Sequence, residues 1–158
     1  MEVREADADD IEPIRAVATA AWHAAYDDIL GETTVAERTD EWYAPELLRE
    51  YLGDGDVSVF VAGDPVVGYA ICRRGDDSLH LAAIYVDPDR WGEGVGSRLL
   101  DRVEREGRAS GTDRVDLVVL AENDVGRGFY EARGYEQVGE RDDTVDDARE
   151  LVYEKPLA

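Results

Sequence analysis

In the stretch "DRWGEGVGSRLL", residues 89–100, Gly92, Gly94 and Gly96 occupy every second position between a strand-like run and a helix-like run. A helix start offers unpaired N–H groups and the positive end of the helix dipole, and glycine lets a ligand approach the main chain closely. The chemistry this spacing suggests is the holding of an anion. Two familiar nucleotide loops do not match. The phosphate loop of ATPases needs GxxxxGK[ST], and "GEGVGSRLL" has neither that interval nor a lysine. The dinucleotide fingerprint needs GxGxxG in the first strand–turn–helix unit of a parallel sheet. Here the interval is GxGxG, past mid-chain, after strands that read as antiparallel.

The elements around the loop follow from periodicity. "MEVREA" alternates as a short strand, and Ile11, Ile14, Val17, Ala18 and Ala21 fall at helical spacing behind an Asp9 or Asp10 cap, with Pro13 in the first turn. "DDILGETTV" reads as a loop, and "VAERTDEWYAPELLREYLGDG" as a second helical region interrupted at Pro45. "VSVFVAGDPVVGYAICRR" reads as a hairpin turning at Gly63, Asp64 and Pro65, and "SLHLAAIYV" as the next strand. After the glycine loop come a helix over roughly Gly96 to Ser110, the strand "RVDLVVL", the loop "AEND", the short helix "VGRGFYEARG", and closing strands near "YEQVGE" and "ARELVYEKP". The order is one strand, two helices, three strands, helix, strand, helix and two strands, a mixed sheet with helices on its faces. With 158 residues and no repeat or linker, the expectation is one domain spanning residues 1–158.

Charge is the compositional outlier. Against 17 basic residues stand 38 acidic ones, a net charge of −21, and the only lysine is Lys155. Nucleic acid is disfavoured as a partner because its phosphates would be repelled. The acids are spread among apolar residues as on a folded surface, a pattern like that of proteins from salt-loving cells, where the Debye length falls to about 3 Å at 1 M salt. No run of about 18 apolar residues is present to span a bilayer, and "MEVREADADD" lacks the order of a secretion signal, so a cytoplasmic location is expected. Cys72, His23 and His80 are too few and too scattered for a metal cluster, and none is expected.

Taken together, "LAAIYVDP", "RWGEGVG", "SRLLDRVEREG" and "NDVGRGFYEARGY" resemble the GCN5-related N-acetyltransferase (GNAT) family at motif level over about residues 57 to 140. The amino-terminal "AAWHAAYDDIL" is similar to the acceptor-side helix and loop of many members. The resemblance implies an α/β fold with a mostly antiparallel sheet of about seven strands, helices on both faces and a splayed parallel strand pair. It implies acetyl-CoA as cosubstrate, with pyrophosphate held by the loop matching Trp91, Gly92, Glu93, Gly94, Val95 and Gly96 and by Ser97. The main chain matching Ile84 to Val86 would pair with the pantetheine arm. Asn123 matches the asparagine that holds the pantetheine region, and Tyr130 the tyrosine beside the thioester sulfur. The loop departs from the family in one place: Trp91 stands where Gln or Arg is usual. Members are often dimers, so a homodimer is compatible with the resemblance.

Acetyl transfer to an amine requires a neutral nucleophile, a donor for the developing oxyanion and a proton for the leaving thiolate. A phenol with a reference pKa of about 10 can protonate a thiolate whose own value is near 8.5, which suits Tyr130. A backbone N–H of Ile84 or Val86 is the natural oxyanion donor. His80, four residues before Ile84, is the first candidate base, against the plain alternative of a strand histidine on a solvated face. Trp22 and Tyr26 are candidates for the acceptor pocket, and Arg98 for a phosphate contact. Cys72 alternates as a core residue without an acid or histidine neighbour, so a covalent route through it is not expected. The acceptor would be a primary amine, on a protein terminus or a small molecule, attacking directly in a ternary complex. The competing reading is a non-catalytic acyl-CoA-binding or regulatory module on the same fold.

Overall fold

The computed structural model describes residues 1–143 and 148–157. Seven strands, β1 (Val3–Glu5), β2 (Val57–Ala62), β3 (Gly68–Arg74), β4 (Ser78–Val86), β5 (Arg114–Leu120), β6 (Glu136–Asp143) and β7 (Ala148–Pro156), form one sheet in the order β1-β2-β3-β4-β5-β7-β6. Neighbours run antiparallel except for β4 and β5, which are parallel. The helices α1 (Ile11–Leu30), α2 (Glu32–Trp42) and α3 (Pro45–Gly53) cover one face, and α4 (Val95–Ala109) and α5 (Asp124–Glu131) the other.

Strand alternation divides the apolar residues between two cores. Val59, Val61, Tyr69 and Ile71 pack under α1 to α3, while Phe60, Ala62, Ala70 and Cys72 pack under α4. Burial pushes the Cys72 thiol up to about 12, which keeps it protonated and inert.

Two sequence expectations are corrected. "DDILGETTV" is helical rather than a loop: α1 continues to Leu30 and α2 starts at Glu32, with Gly31 alone, at φ 89°, making the break. Burial of Tyr26 in the core, with Ile29 and Leu30 packed against it, carries the helix through the polar stretch. Pro45 is the first residue of a separate helix, so three helices rather than two precede β2. Asp10 holds the N-cap position of α1, as expected, but makes no side-chain cap bond there. Asp7 caps the 3-10 turn Ala8–Asp10, and Asp10 uses its carboxylate to accept from both terminal nitrogens of Arg4 at 2.8 Å and from the Asp7 N–H.

A bulge in β4 sets up the site. Ile71 pairs with Ala83 but Cys72 with Leu81, so Ala82 is an extra residue on β4. The bulge switches the alternation. Leu79, Leu81, Ile84 and Val86 pack on the α4 side, whereas Ala83 and Tyr85 pack on the α1 side. The parallel ladder with β5 runs only from Ser78–Arg114 to Leu81–Leu117 and stops where the bulge begins. Beyond it the two strands part.

Helix α4 is seated tightly against this region. A Cβ on Gly68 would lie 3.0 Å from Leu99, 3.1 Å from Val95 and 3.2 Å from the Tyr85 carbonyl. Farther along, Glu104 is 5% exposed yet accepts from Lys155 and the Tyr135 hydroxyl, both at 3.0 Å, so its buried charge is fully engaged. Gly68→Ala is expected to destabilise the protein by about 1–3 kcal/mol through overpacking under α4. Urea unfolding measures this; an unchanged midpoint would mean that α4 shifts without cost.

Candidate active site

The glycine loop and the start of α4 form a cradle of main-chain donors. Asp87 folds the loop by accepting from the Asp89 N–H, and the Arg98 N–H to Gly94 carbonyl bond, 3.2 Å, opens the helical ladder. The amides of Val95, Gly96 and Ser97 thus precede the first helical bond, and no side chain caps them. Gly92 and Gly94 both adopt φ 83° with open space around them, so their backbone conformation is what requires glycine. Gly96 has another reason: a Cβ there would stand 3.1 Å from the Phe129 ring.

Positive charge reaches the cradle from the turn after α5. Arg133 stacks on Phe129 with its guanidinium carbon 3.8 Å from the ring centroid, donates to the Phe129 carbonyl at 2.8 Å, and donates through Nε to Ser97 Oγ at 3.0 Å. This fixes a cation beside the first turn of α4. Sequence reasoning missed Arg133; its place within "FYEARGY" was visible, but its fold-back over Phe129 was not.

The splay leaves one edge of β4 open. The Asp87 N–H donates to Val67, toward β3, at 2.7 Å, so strand alternation turns the N–H and C=O groups of Val86 and Ile84 toward the gap. The Val86 carbonyl is already engaged by the Trp91 indole N–H at 2.9 Å. Trp91, 47% exposed, therefore closes the loop back onto the strand end.

On the far side of the gap, Asn123 caps α5 by accepting from the Gly126 N–H at 3.0 Å. A Cβ on Gly126 would fall 2.5 Å from the Asn123 amide nitrogen, so that glycine makes room for the asparagine. Tyr130 is half-buried, edge-on to Phe129 and Tyr135 with centroids 5.3 and 5.7 Å away. Burial, and then the neighbouring Tyr26 phenol, raise its pKa well above the ordinary tyrosine value. The hydroxyls of Tyr26 and Tyr85 meet at 2.9 Å, and burial also raises both of these groups.

Two cavities open on the gap. The first, of about 570 Å³, is lined by Ile84, Val86, Trp91, Gly92, Gly94, Val95, Gly96, Ser97, Asn123, Tyr130 and the unforeseen Arg133. The second, of about 400 Å³, lies on the α1 side and is lined by Trp22, Tyr43, Tyr51 and His80, with Glu150 and Arg141 at its rim. Tyr26, Tyr85 and the Leu81–Ala83 stretch line both, so the cavities meet where the strands part. His80 holds Asp116 through Nδ1 at 2.6 Å. Two candidate residues stand elsewhere. Arg98 donates to the Met1 carbonyl at 3.0 Å, and Glu93 is paired with Arg90 at 3.4 Å; neither lines a cavity on the gap. Among the described residues no helix is long and apolar enough to cross a membrane.

The Acetyltransferase (GNAT) family model matches residues 22–135, and the chain belongs to that family. Solved structures of similar fold include PaiA N-acetyltransferase from Thermoplasma acidophilum in complex with coenzyme A, 23% identical over 98% of both chains with a TM-score of 0.87. Ribosomal-protein-S18-alanine N-acetyltransferase from Escherichia coli is 19% identical over 99% of this chain and 94% of its own, with a TM-score of 0.72. Aminoglycoside 6′-acetyltransferase type Ii is 18% identical over 100% of this chain and 98% of its own, with a TM-score of 0.69.

The raised phenols have a consequence at high pH. A tyrosine whose folded pKa exceeds its unfolded value contributes stability that is complete below about pH 10 and is lost as pH rises toward the folded value. Tyr26, Tyr43, Tyr69, Tyr85, Tyr130, Tyr135 and Tyr153 all shift in that direction. The thermal midpoint is expected to fall steadily above pH 10, with phenolate absorbance appearing together with loss of the circular dichroism signal. Reversible ionisation of most tyrosines near pH 10 in a folded protein would contradict this.

Proposed function

We propose that the protein transfers an acetyl group from acetyl-CoA to a primary amine by direct attack in a ternary complex, as one N-acetyltransferase domain. The observation that carries this reading is the meeting of two cavities at the β4–β5 gap, one walled by the anion cradle and Tyr130, the other by His80 and aromatic side chains. The residues fit the coenzyme. The Val95, Gly96 and Ser97 amides suit the pyrophosphate, with Gly92 and Gly94 shaping the loop and Arg133 adding charge. The open edge at Ile84 and the Val86 N–H suits the amide groups of the pantetheine arm, with Asn123 opposite. When bound there, acetyl-CoA supplies an activated acetyl group.

The chain's own residues divide the proton work. Tyr130, held protonated by its burial, donates to the leaving sulfur. An N–H of Ile84 or Val86 is aimed to receive developing negative charge. His80 takes the proton that the amine loses, and Trp22 and Tyr26 help to wall the acceptor. Similar structures include enzymes for a ribosomal-protein alanine and for aminoglycosides, so both peptide termini and small amines belong in a screen.

Tyr130→Phe is expected to lower turnover by about 10²-fold or more while leaving acetyl-CoA binding nearly unchanged. Release of free thiol across an amine panel, with calorimetric titration of acetyl-CoA, reads both quantities. Undiminished turnover would remove the acid role, and tight binding with no thiol release from the wild type would favour a non-catalytic module.

The charge excess is read as adaptation to a salt-rich cell interior. A polyanionic ligand must approach a protein of net charge −21, so affinity for acetyl-CoA is expected to rise from low to molar salt as repulsion is screened. A steady fall in affinity, with folding followed separately by circular dichroism, would overturn that reading.

A further inference from the structure

We infer that Asp116 is a positioning residue for the transfer, holding His80 in the tautomer that accepts the amine proton. The inference rests on the base role proposed for His80. The two residues are register partners on β4 and β5, one rung before the parallel ladder ends. Asp116 alternates with the buried Val115 and Leu117 of the α4-side core, so its side chain lies on the opposite face, where His80 lines the acceptor-side cavity.

The 2.6 Å contact between His80 Nδ1 and Asp116 Oδ1 has a chemical meaning. A carboxylate only accepts hydrogen bonds, so the ring proton must sit on Nδ1. The opposite neutral tautomer would press a lone pair against a carboxylate oxygen. With Nδ1 committed, Nε2 carries the lone pair available to a proton from the acceptor amine. In the proposed step one proton leaves the amine nitrogen for Nε2 and passes later to bulk water; Asp116 stays ionised and offsets the imidazolium charge. Its placement also makes the pair more than a surface contact. His80 is 45% exposed at its side chain, on the cavity, while Asp116 is only 26% exposed behind it.

Among the described residues, the charged groups neighbouring the pair on this face have their own partners. Arg73, the register partner of His80 on β3, turns to Asp54 at 3.2 Å. Glu154, opposite Asp116 on β7, pairs with Arg114 at 3.5 Å. Glu150 and Arg141, from the β6–β7 hairpin, pair with each other at 3.2 Å. The remaining titratable groups of the cavity are phenols: Tyr26 on α1, Tyr43 and Tyr51 on α2–α3, and Tyr85 on β4.

The test uses the full chain with ring-¹⁵N-labelled histidine, assigned by His23→Gln, since His23 is the only other histidine. Wild-type His80 is expected to show a protonated Nδ1 and an unprotonated Nε2 in its neutral form, with no coenzyme needed. In Asp116→Asn the amide can donate to Nδ1, so the proton should move to Nε2. The same variant should lose about 10²-fold in kcat with little change in the acetyl-CoA KM, and the acid limb of its pH profile should shift; Asp116→Glu should restore much of the loss. A wild-type His80 with its proton on Nε2 overturns the inference even if no variant folds. If His80→Gln lowers turnover and Asp116→Asn does not, the positioning role alone fails. If His80→Gln keeps full turnover, the base reading beneath it fails as well.

Discussion

The site depends on the early end of the parallel ladder between β4 and β5. Main-chain amides inside a sheet ordinarily find partners, because leaving them unpaired away from water is costly. Here the pairing stops at Leu81 and Leu117, and the bulge at Ala82 turns the rest of β4 out of register with its neighbour. The result is a strand edge in the middle of a sheet, held open by tight packing on both sides. Gly68 admits α4 close to β3 and β4, and Gly96 admits Phe129 of α5. An edge of this kind suits a ligand that carries amide groups, and the start of α4 lies at its end.

The same bulge explains how the proposed reaction is distributed over the sheet. Without the extra residue, His80 and Ile84 would share a face, being an even number of positions apart. With it, Ile84 faces the α4 core while His80 lies with Ala83 and Tyr85 under the other helices. Donor and acceptor can then enter from opposite faces and meet in the gap. Tyr130 reaches it from α5, and the Tyr26–Tyr85 hydroxyl pair stands between the two cavities.

Much of this could be read from the sequence, for reasons that are physical. The alternation in "VSVFVA" and "GYAICRR" survives in the fold because each face is buried under a different helix layer. The glycine spacing was informative because two of the three positions need a left-handed backbone. What escaped was whatever depends on tertiary contact. Packing against the core carries α1 through polar residues to Leu30 and leaves Gly31 as the sole break. The choice between Arg98 and Arg133 is set by fold-back: sequence proximity to the loop favoured the first, but its guanidinium goes to Met1 while Arg133 returns to Ser97. Asp116 lies 36 residues from His80, and only strand register brings the two together.

Electrostatics supplies a last argument for an anion at the start of α4. Acidic side chains are favoured in the first turn of a helix because they complement its dipole. In this chain the first turns of α1, α2, α3 and α5 carry Glu12, Glu32, Glu46 and Asp124. The first turn of α4 carries none, in a protein with 38 acidic residues. Nor does a side chain cap it, so the positive end of the dipole and its free amides are left without an internal partner. A guanidinium, that of Arg133, is fixed beside this turn on Ser97. A chain this acidic would repel a phosphate over most of its surface, and here it presents a local reversal of sign. Loop conformation, helix direction and one folded-back arginine produce that reversal, which net charge alone would not reveal.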